Sequence, residues 1–340
     1  MSKIFTRSKI GDLELKNKII MPPMCMYSAA DGKAGKFHEI HYGARAIGDV
    51  GLIIVEATAV EPRGRITDRD LGLWSDEQIA SHQTITDVCH NFGSLIAVQL
   101  GHAGRKSQAS ATTPVAPSSL IFADDGSYKT PVELTTKEVK KIKELFTDAA
   151  KRAKAAGYDA VELHAAHGYL LYEFLSPITN KREDEYGGSF ENRTALVLEI
   201  VREIKKEVGL TLIVRISADE WVDGGWSLQD SVRLARELES AGADAIDVSA
   251  GGNSAVQPNI PKITPFYQVE YAKAIKQNVS IPIITVGLIT KPSEAEALLL
   301  GGVCDFVEVG RELIANPNFC LYAAKEFKEA IIPQYERGAF

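Results

Sequence analysis

The sequence has little cysteine and no long apolar run, and these absences remove several classes of protein. Its 340 residues include four cysteines, and no two of them form a CxxC pair. A zinc ribbon, a cysteine-ligated cluster and a disulfide framework are therefore excluded. No apolar run approaches the roughly 18 residues that a membrane-spanning helix needs, and the first residues lack the apolar segment of a signal peptide. We therefore expect a cytoplasmic protein that has no membrane partner.

An excess of positive charge is also missing. The chain carries 38 basic and 45 acidic residues, a formal net charge of −7, and the two signs are mixed along its length. No basic stripe is available to neutralise many phosphates, so we expect no nucleic acid partner. Apolar residues make up 45% of the chain, which predicts a folded protein with a large core.

Eight short apolar segments recur along the chain, separated by stretches with helical periodicity. They are KIIMP, GLIIVEA, LIAVQL, AVELH, LIVRIS, AIDVSA, PIITVG and DFVEVG, beginning at residues 18, 51, 95, 160, 212, 245, 282 and 305. Most are apolar on both faces, as in parallel strands covered by helices. Eight such repeats predict an α/β fold of the (β/α)8 or TIM-barrel type, with residues 1–340 forming one domain. A doubly wound sheet is the alternative, but no GxGxxG motif follows a strand and no GxxxxGK[ST] loop occurs.

Helix-start signals and two extra segments complete the predicted architecture. Capping boxes occur at Thr135/Glu138, Ser75/Gln78 and Ser227/Asp230. Residues 10–15, centred on Gly11 and Asp12, predict a hairpin that closes the barrel floor. Residues 101–131 predict an extended loop after strand three, on the face where barrel loops carry function.

The carboxyl ends of barrel strands meet at one mouth, so polar and glycine residues just after each strand are expected to converge. These candidates are Pro23, Met24, Cys25, Ala57, Thr58, Gln99, His102, His164, His167, Arg215, Ser249, Gly287, Gly310 and Arg311. Gly287 and Gly310 end strands seven and eight, where barrels commonly bind phosphate through backbone amides. Arg311 can add a bidentate contact, and the combination favours a phosphate site over two ordinary turns.

Two polar residues lie within otherwise apolar strands. Arg215 is expected to point toward the barrel axis or its mouth, where a charge is costly unless it meets an anion. Either an anionic ligand or a salt bridge to Glu162 or Glu56 satisfies that requirement. Gln99 offers a donor and an acceptor in fixed geometry, which suits a heterocycle with an amide-like edge.

His164 and His167 lie three residues apart in LHAAHGYL, just past strand four. If this segment turns helically, both rings face one point. One interpretation is metal ligation with a third ligand, as in a metal-dependent barrel lyase or hydrolase, although the HxH pattern of such hydrolases is missing from strand one. The other is a pair of donors that holds a carbonyl or nitro oxygen as it gains negative charge, with Tyr169 as the proton donor.

The stretch HAAHGYLLYEFLSPITNKREDEYGGSFENR, residues 164–193, closely resembles the signature of the Old Yellow Enzyme family of FMN-dependent ene-reductases. Further matches are LKNKIIMPPMCMYS from residue 15, GRITDRDLGLW from residue 64, QLGHAGRK from residue 99, VGRELIANP from residue 309 and QYERG from residue 334. The resemblance spans essentially the whole chain. Cys25, Tyr27 and the C-terminal QYERG are similar to the bacterial thermophilic-like subclass.

The resemblance implies a role for each candidate residue. The residues expected to hold FMN are Pro23, Met24, Cys25, Ala57, Gln99, Arg215, Gly287, Gly310 and Arg311. Cys25 would tune the flavin and not act as a nucleophile, and Tyr27 would contact substrate. His164 and His167 become the oxygen clamp and Tyr169 the proton donor. The implied reaction is ping-pong hydride transfer from NADPH or NADH, through flavin N5, to the β-carbon of an α,β-unsaturated carbonyl or nitro compound.

The resemblance also implies that the protein forms a homo-oligomer. Arg337 matches an arginine that reaches the substrate site of a neighbouring subunit, so we expect a homodimer or homotetramer in which the tail, residues 333–340, makes that contact. The chain ends Gly-Ala-Phe where relatives usually have Gly-Trp.

Two alternative enzymes are considered. One is a dienoyl-CoA reductase-like enzyme, which shares the flavin barrel but is disfavoured by the four scattered cysteines. The other is the metal-dependent barrel lyase or hydrolase. A non-enzymatic binding barrel is disfavoured by the many titratable groups at strand ends.

Overall fold

The strands of this computed structural model, which describes residues 2–330 and residue 335, form one closed parallel barrel. The eight barrel strands, labelled β1 to β8, are Ile19–Met21, Leu52–Ala59, Leu95–Gly101, Ala160–Ala165, Thr211–Ser217, Ala245–Ser249, Ile283–Thr285 and Phe306–Glu308. Each pairs with the next, and β8 pairs with β1. A short strand, Leu71–Gly72, adds to the end of β2. All eight coincide with the apolar segments of the sequence, so the predicted (β/α)8 fold is confirmed.

Helices cover the outside of the barrel. They are α1 (Lys36–Ile47), α2 (Ile79–Asn91), α3 (Thr136–Ala155), α4 (Leu170–Leu175), α5 (Phe190–Glu207), α6 (Leu228–Ala241), α7 (Val269–Lys276), α8 (Pro292–Leu300), α9 (Arg311–Ala315) and α10 (Phe319–Phe327). The capping boxes predicted at Thr135 and Ser227 open α3 and α6. The box at Ser75 opens a 3-10 turn, Asp76–Gln78, that leads into α2. Within the described residues, no helix combines the length and apolar composition needed to cross a membrane.

The apolar core has two parts, one inside the barrel and one between the strands and the helices. The inner part is lined by Ile20, Leu52, Ile54, Ala97, Ala160, Ile213, Ala245, Ile284 and Phe306. Ile10 and Leu15 of the N-terminal hairpin, Ser8–Ile10 paired with Leu13–Leu15, pack into the same cluster and are fully buried. The hairpin therefore closes the barrel floor as predicted, and any site must open at the other end.

The long segment after β3 is more ordered than its composition suggests. It begins with a 3-10 turn, Gly104–Lys106, and its strand Val115–Ala116 pairs with Val132–Glu133. Arg105 donates hydrogen bonds from its backbone N–H to Glu173 of α4 and from its guanidinium to the carbonyl of Asn253. These contacts hold the loop over the carboxyl ends of β4 and β6.

Candidate active site

His164 and His167 lie together at the mouth, but not on a helix as the sequence analysis supposed. His164 is a residue of β4, level with Arg215 of β5, and His167 follows the strand with a positive φ of 58°. Their ring centroids are 5.2 Å apart, and the planes of the two rings are nearly perpendicular. The rings converge because the chain reverses sharply at His167 and Gly168, and not because of helical spacing.

The backbone reversal depends on Gly168. Its φ is 71°, and a Cβ built there would lie 2.5 Å from the carbonyl oxygen of Gly252. Only glycine allows this close approach of two strand-end loops. The turn is also held by side chains: the backbone N–H of His167 donates to Ser217 Oγ at 2.9 Å, and Lys106 Nζ donates to the carbonyl of His167 at 2.9 Å.

Both histidines are electrically neutral at pH 7. Burial lowers the pKa of His164 well below its usual value, and the neighbouring His167 and Arg215 lower it further. Burial, Arg215 and Lys106 do the same for His167. Among the described residues, Nδ1 of His164 is buried and has no hydrogen-bond partner, whereas Nε2 of His167 lies 2.7 Å from Ser249 Oγ. A buried polar atom without a partner is costly, so this nitrogen is positioned for a ligand.

Tyr169 completes the histidine cluster. Its ring centroid lies 4.8 Å from that of His164, and Lys106 Nζ lies 4.9 Å from the tyrosine ring centroid. Burial raises the pKa of the Tyr169 phenol, with Cys25 adding to the effect. The phenol is therefore protonated at neutral pH and has a proton to donate.

Cys25, Tyr27 and Ala57 meet where β1 and β2 end. Cys25 lies near the backbone of Ala57 and the hydroxyl of Tyr27. Burial, followed by Asp70 and Glu56, raises the pKa of the thiol to about 12. Because the thiolate is the nucleophilic form, Cys25 is not poised for nucleophilic attack.

A small recess brings together Ala57, His164 and Tyr169. It is lined by Ala57, Thr58, Ala59, Gly64, Ile66, Asp70, Gly101, His102, Ala103, His164 and Tyr169. The ends of β2, β3 and β4 therefore share one concave space, as expected for the catalytic face of a barrel. His102 is held beside it by Glu61, 2.8 Å from its Nε2.

Arg215 forms ion pairs, but with different partners from those the sequence suggested. Its Nε lies 2.8 Å from Asp247 Oδ2, and its Nη2 lies 3.2 Å from Glu308 Oε2. Glu56 is instead held by the Met26 N–H and the Tyr42 hydroxyl. Of the two alternatives left open for Arg215, a salt bridge is present, but its partners are not Glu162 or Glu56, because Asp247 is the register neighbour of Arg215 and Glu308 faces it across the barrel.

Gln99 and Glu162 extend this polar group. The Gln99 amide donates to Glu162 Oε1 at 2.7 Å, which fixes its orientation. Sequence reasoning missed Asp247 and Glu308, which together with Glu162 are named here the carboxyl layer. The available signal was an acidic residue inside each of the apolar runs AIDVSA and DFVEVG, the same signal that identified Arg215.

The ends of β7 and β8 form a second recess. It is lined by Val286, Leu288, Ile289, Thr290, Glu308, Gly310, Arg311 and Glu312. A Cβ built on Gly310 would lie 3.4 Å from Pro22 Cγ and 3.6 Å from Met24 Sδ. The predicted residues Met24, Gly310 and Arg311 are therefore neighbours, and Gly287, whose φ is 147°, follows β7 beside them.

Within the described residues, no third metal ligand lies beside the histidine pair. In the part of the chain that the structure describes, the one group of three metal-ligating side chains is Glu162, Asp247 and Glu308. The Arg215 guanidinium already contacts two of these acids, Asp247 and Glu308. Arg337, predicted to reach a neighbouring subunit, lies outside the described residues.

Comparison with known proteins places the chain among flavin enzymes. The profile of the NADH:flavin oxidoreductase / NADH oxidase family matches residues 3–329. The chain is 46% identical to an NADPH dehydrogenase of Bacillus subtilis (strain 168), and 45% identical to an NADPH dehydrogenase of Listeria monocytogenes serotype 4b (strain CLIP80459). Each alignment covers 99% of both chains. The solved structure of morphinone reductase superposes with a TM-score of 0.82 and 31% identity, over 97% of this chain and 91% of the other.

These matches confirm the resemblance found in the histidine signature and in the other motifs along the chain. They agree with the barrel topology and extend over nearly the whole sequence. The chain therefore belongs to the NADH:flavin oxidoreductase / NADH oxidase family and is a barrel of the Old Yellow Enzyme type.

Proposed function

We propose that this protein is an FMN-dependent ene-reductase, which takes a hydride from NADPH and delivers it to an activated alkene. Its family makes it an oxidoreductase with FMN as cofactor and NADPH as reductant. The substrate class is an α,β-unsaturated carbonyl or nitro compound. The observation that carries this assignment is the pair of neutral histidines beside Tyr169, with a buried His164 nitrogen that lacks a partner.

The residues at the mouth fit a flavin with a phosphate. Gly310 and Arg311 border the recess at the ends of β7 and β8, and a Cβ on Gly310 would lie in van der Waals contact with Pro22 and Met24. Arg215 presents a permanent positive charge level with His164. Pro23, Met24, Cys25, Ala57 and Gln99 would contact the isoalloxazine, and Gly287, Gly310 and Arg311 would hold the phosphate.

When bound, FMN supplies a hydride acceptor that is also a hydride donor, which the protein's own side chains cannot provide. Arg215 would stabilise the negative charge of the reduced state. The protonated Cys25 thiol, near Ala57 and Tyr27, would adjust the redox potential through its dipole and its packing.

The two histidines hold the oxygen of the substrate. Because both are neutral, each can donate one N–H without placing a full positive charge beside Arg215 and Lys106. A donor that meets charge developing in the transition state is worth about 2.7–4 kcal/mol at comparable oxyanion sites. Tyr27, 38% exposed at the rim, would contact the body of the alkene.

Tyr169 supplies the proton for the α-carbon. Its phenol is protonated at neutral pH, and the Lys106 ammonium near its ring stabilises the negative charge left after transfer. The hydride and the proton would then reach adjacent carbons of one alkene held by His164 and His167.

A spectroscopic experiment tests the function directly. The purified protein is expected to be yellow with one FMN per chain, to lose its visible absorption with NADPH under anaerobic conditions, and to regain it on addition of cyclohexenone. Metal analysis of the same sample tests the alternative that the protein is a metal-dependent lyase or hydrolase. A colourless protein that does not bind added FMN, or that contains one equivalent of metal, contradicts the proposal.

We also propose that the protein works as a homodimer or homotetramer whose tail contributes Arg337 to a neighbouring site. Truncation after residue 333 removes that arginine and is expected to lower activity and to decrease the mass measured by light scattering. Arg337→Ala separates the two effects, because it should lower alkene affinity while leaving the mass unchanged. Full activity in both variants would contradict a role for the tail.

A further inference from the structure

The carboxyl layer places three acids and one base at the centre of the barrel. Glu162, Asp247 and Glu308 are on β4, β6 and β8, which are not neighbouring strands, so their side chains meet across the barrel axis. One carboxylate oxygen from each lies within 4.8 Å of the others. All three side chains are fully buried, and Arg215 is only 6% exposed.

The layer cannot be fully ionised. Three carboxylates beside a single guanidinium would leave two uncompensated negative charges in a water-poor interior, which is strongly unfavourable. Neither oxygen of Asp247, nor Oε1 of Glu308, has a hydrogen-bond partner among the described residues, and burial without such partners favours the protonated form of a carboxyl group. We therefore expect the layer to hold at least one proton at neutral pH.

Further protons are held loosely enough to exchange near neutral pH. Burial raises the pKa of Glu162 to about 8, with Asp247 contributing, and burial raises that of Asp247 to about 6. Burial also raises the pKa of Glu308, again with Asp247 contributing. Arg215 opposes each of these shifts but remains charged, because the acids outweigh the effect of burial on its own pKa.

A proton is the cation that suits this layer, and a metal ion is not. The guanidinium of Arg215 already contacts Asp247 at 2.8 Å and Glu308 at 3.2 Å. A divalent ion among the same oxygens would lie against that fixed positive charge. Protonation instead changes the charge of the layer by one unit and needs no displacement of Arg215.

The layer lies next to the group whose charge changes in the reaction. Arg215 is level with His164 at the mouth, where the proposed function puts the flavin. Reduction by NADPH brings two electrons and one proton, so the site becomes more negative by one unit. That charge competes with Asp247 and Glu308 for Arg215, and a carboxylate that loses its partner binds a proton more tightly.

We propose that the carboxyl layer, formed by Glu162, Asp247 and Glu308, takes up one proton from solvent each time the flavin beside Arg215 is reduced and releases it on reoxidation. This proposal rests on the proposed function. Two protons then accompany two electrons, one arriving with the hydride and one entering the layer, and the total charge of the site is unchanged. The three acids act as positioning residues, because they act through Arg215 and not on substrate.

Other charged or titratable groups that face the layer cannot substitute for it. They are His164 from β4, His167 from the turn after it, and Tyr267 from the segment before α7. Both histidines are neutral, and burial raises the pKa of Tyr267, so none of the three changes charge between pH 6.5 and 8. Gln99, from β3, is uncharged.

The pH dependence of the midpoint potential is the decisive measurement on the FMN-loaded protein. For a two-electron couple, each proton taken up shifts the potential by about 30 mV per pH unit. Between pH 6.5 and 8, we expect the midpoint potential of the unmodified protein to shift by about 59 mV per pH unit and that of Asp247→Asn to shift by about 30 mV per pH unit. Glu173→Gln is the matched control, because Glu173 is equally buried and its pKa is raised to about 8, yet it contacts the backbone of Arg105 instead of Arg215. The Glu173→Gln variant should retain a shift of about 59 mV per pH unit in its midpoint potential.

Infrared difference spectra of the unmodified protein provide a second readout that does not depend on any variant folding. Reduced-minus-oxidised spectra should show a gain in the C=O stretching band of a protonated carboxyl group. A slope of about 30 mV with no such band, in a protein that binds FMN and reduces cyclohexenone, overturns this proposal while the proposed function stands. A protein that does not bind FMN overturns both.

Discussion

At the scale of single residues, His164 should affect one half of the catalytic cycle and not the other. The imidazole contributes a donor to an oxygen that gains charge as the alkene is reduced. We expect His164→Ala to slow reoxidation of the reduced enzyme by cyclohexenone about 10²–10³-fold, and to change reduction by NADPH much less. Stopped-flow measurement of the two half-reactions separates these rates.

A matched histidine outside the mouth provides the control for that measurement. His90, at the end of α2, pairs with Asp159 at 2.8 Å and its side chain is 40% exposed. His90→Ala should leave both half-reactions unchanged. Equal slowing of both half-reactions in His164→Ala would mean that the residue holds the flavin site together and does not clamp substrate.

Some contacts between single residues could be predicted from the sequence, and others could not. The pairing of His164 with His167 was predictable, because His164 lies near the end of β4 and the turn after that strand brings His167 beside it. The partner of Arg215 was not predictable, because Asp247 and Glu308 are 32 and 93 residues away and meet it only through barrel register and closure. Local spacing carries no information on contacts made across the barrel axis.

At the scale of elements, the turn between β4 and α4 is the part of the site most sensitive to backbone change. Gly168→Ala would place a methyl group 2.5 Å from the Gly252 carbonyl at a φ of 71°. We expect a loss of about 1–2 kcal/mol from the left-handed conformation and a further loss of about 1–3 kcal/mol from the overlap. Alkene reduction should fall as well, because His167 moves with the turn.

Gly188→Ala isolates the conformational part of that effect. Gly188 has a φ of 80°, and nothing lies within 4 Å of a Cβ built on it. Urea unfolding of both variants should show the larger loss at Gly168. Equal losses would mean that the two loops at the mouth separate easily and that the glycine is not needed for their close approach.

Elements were predictable wherever a local signal determined them. The eight strands follow from apolar runs, and α3 and α6 begin at the capping boxes of Thr135 and Ser227. The order within residues 101–131 was not predictable, because its short strand Val115–Ala116 is stabilised by pairing with Val132–Glu133 and by the contacts of Arg105. Both depend on neighbours that the barrel supplies.

At the scale of the whole molecule, buried acids and buried histidines give opposite pH dependences of stability. Burial lowers the pKa of His82 and His41 to about 4, so these groups destabilise the fold as pH falls from 6.5 toward 4. Burial raises the pKa of Glu162 and Glu173 to about 8. Each acid is protonated in the folded protein and ionised in the unfolded chain between pH 4.5 and 8, so stability falls as pH rises through that window.

The two effects oppose each other below pH 6.5, and only the acids act above it. We therefore expect the free energy of unfolding to fall between pH 6.5 and 8, by up to about 1.4 kcal/mol per pH unit for each acid, and to level off above pH 8. Urea unfolding at a fixed concentration of FMN measures this slope. Glu173→Gln removes one titrating group and should make the slope shallower by the contribution of one acid. Stability that rises between pH 6.5 and 8 would show that these carboxyl groups are ionised in the folded protein, and that Arg215 beside Glu162 and Arg105 beside Glu173 outweigh the effect of burial on the two acids.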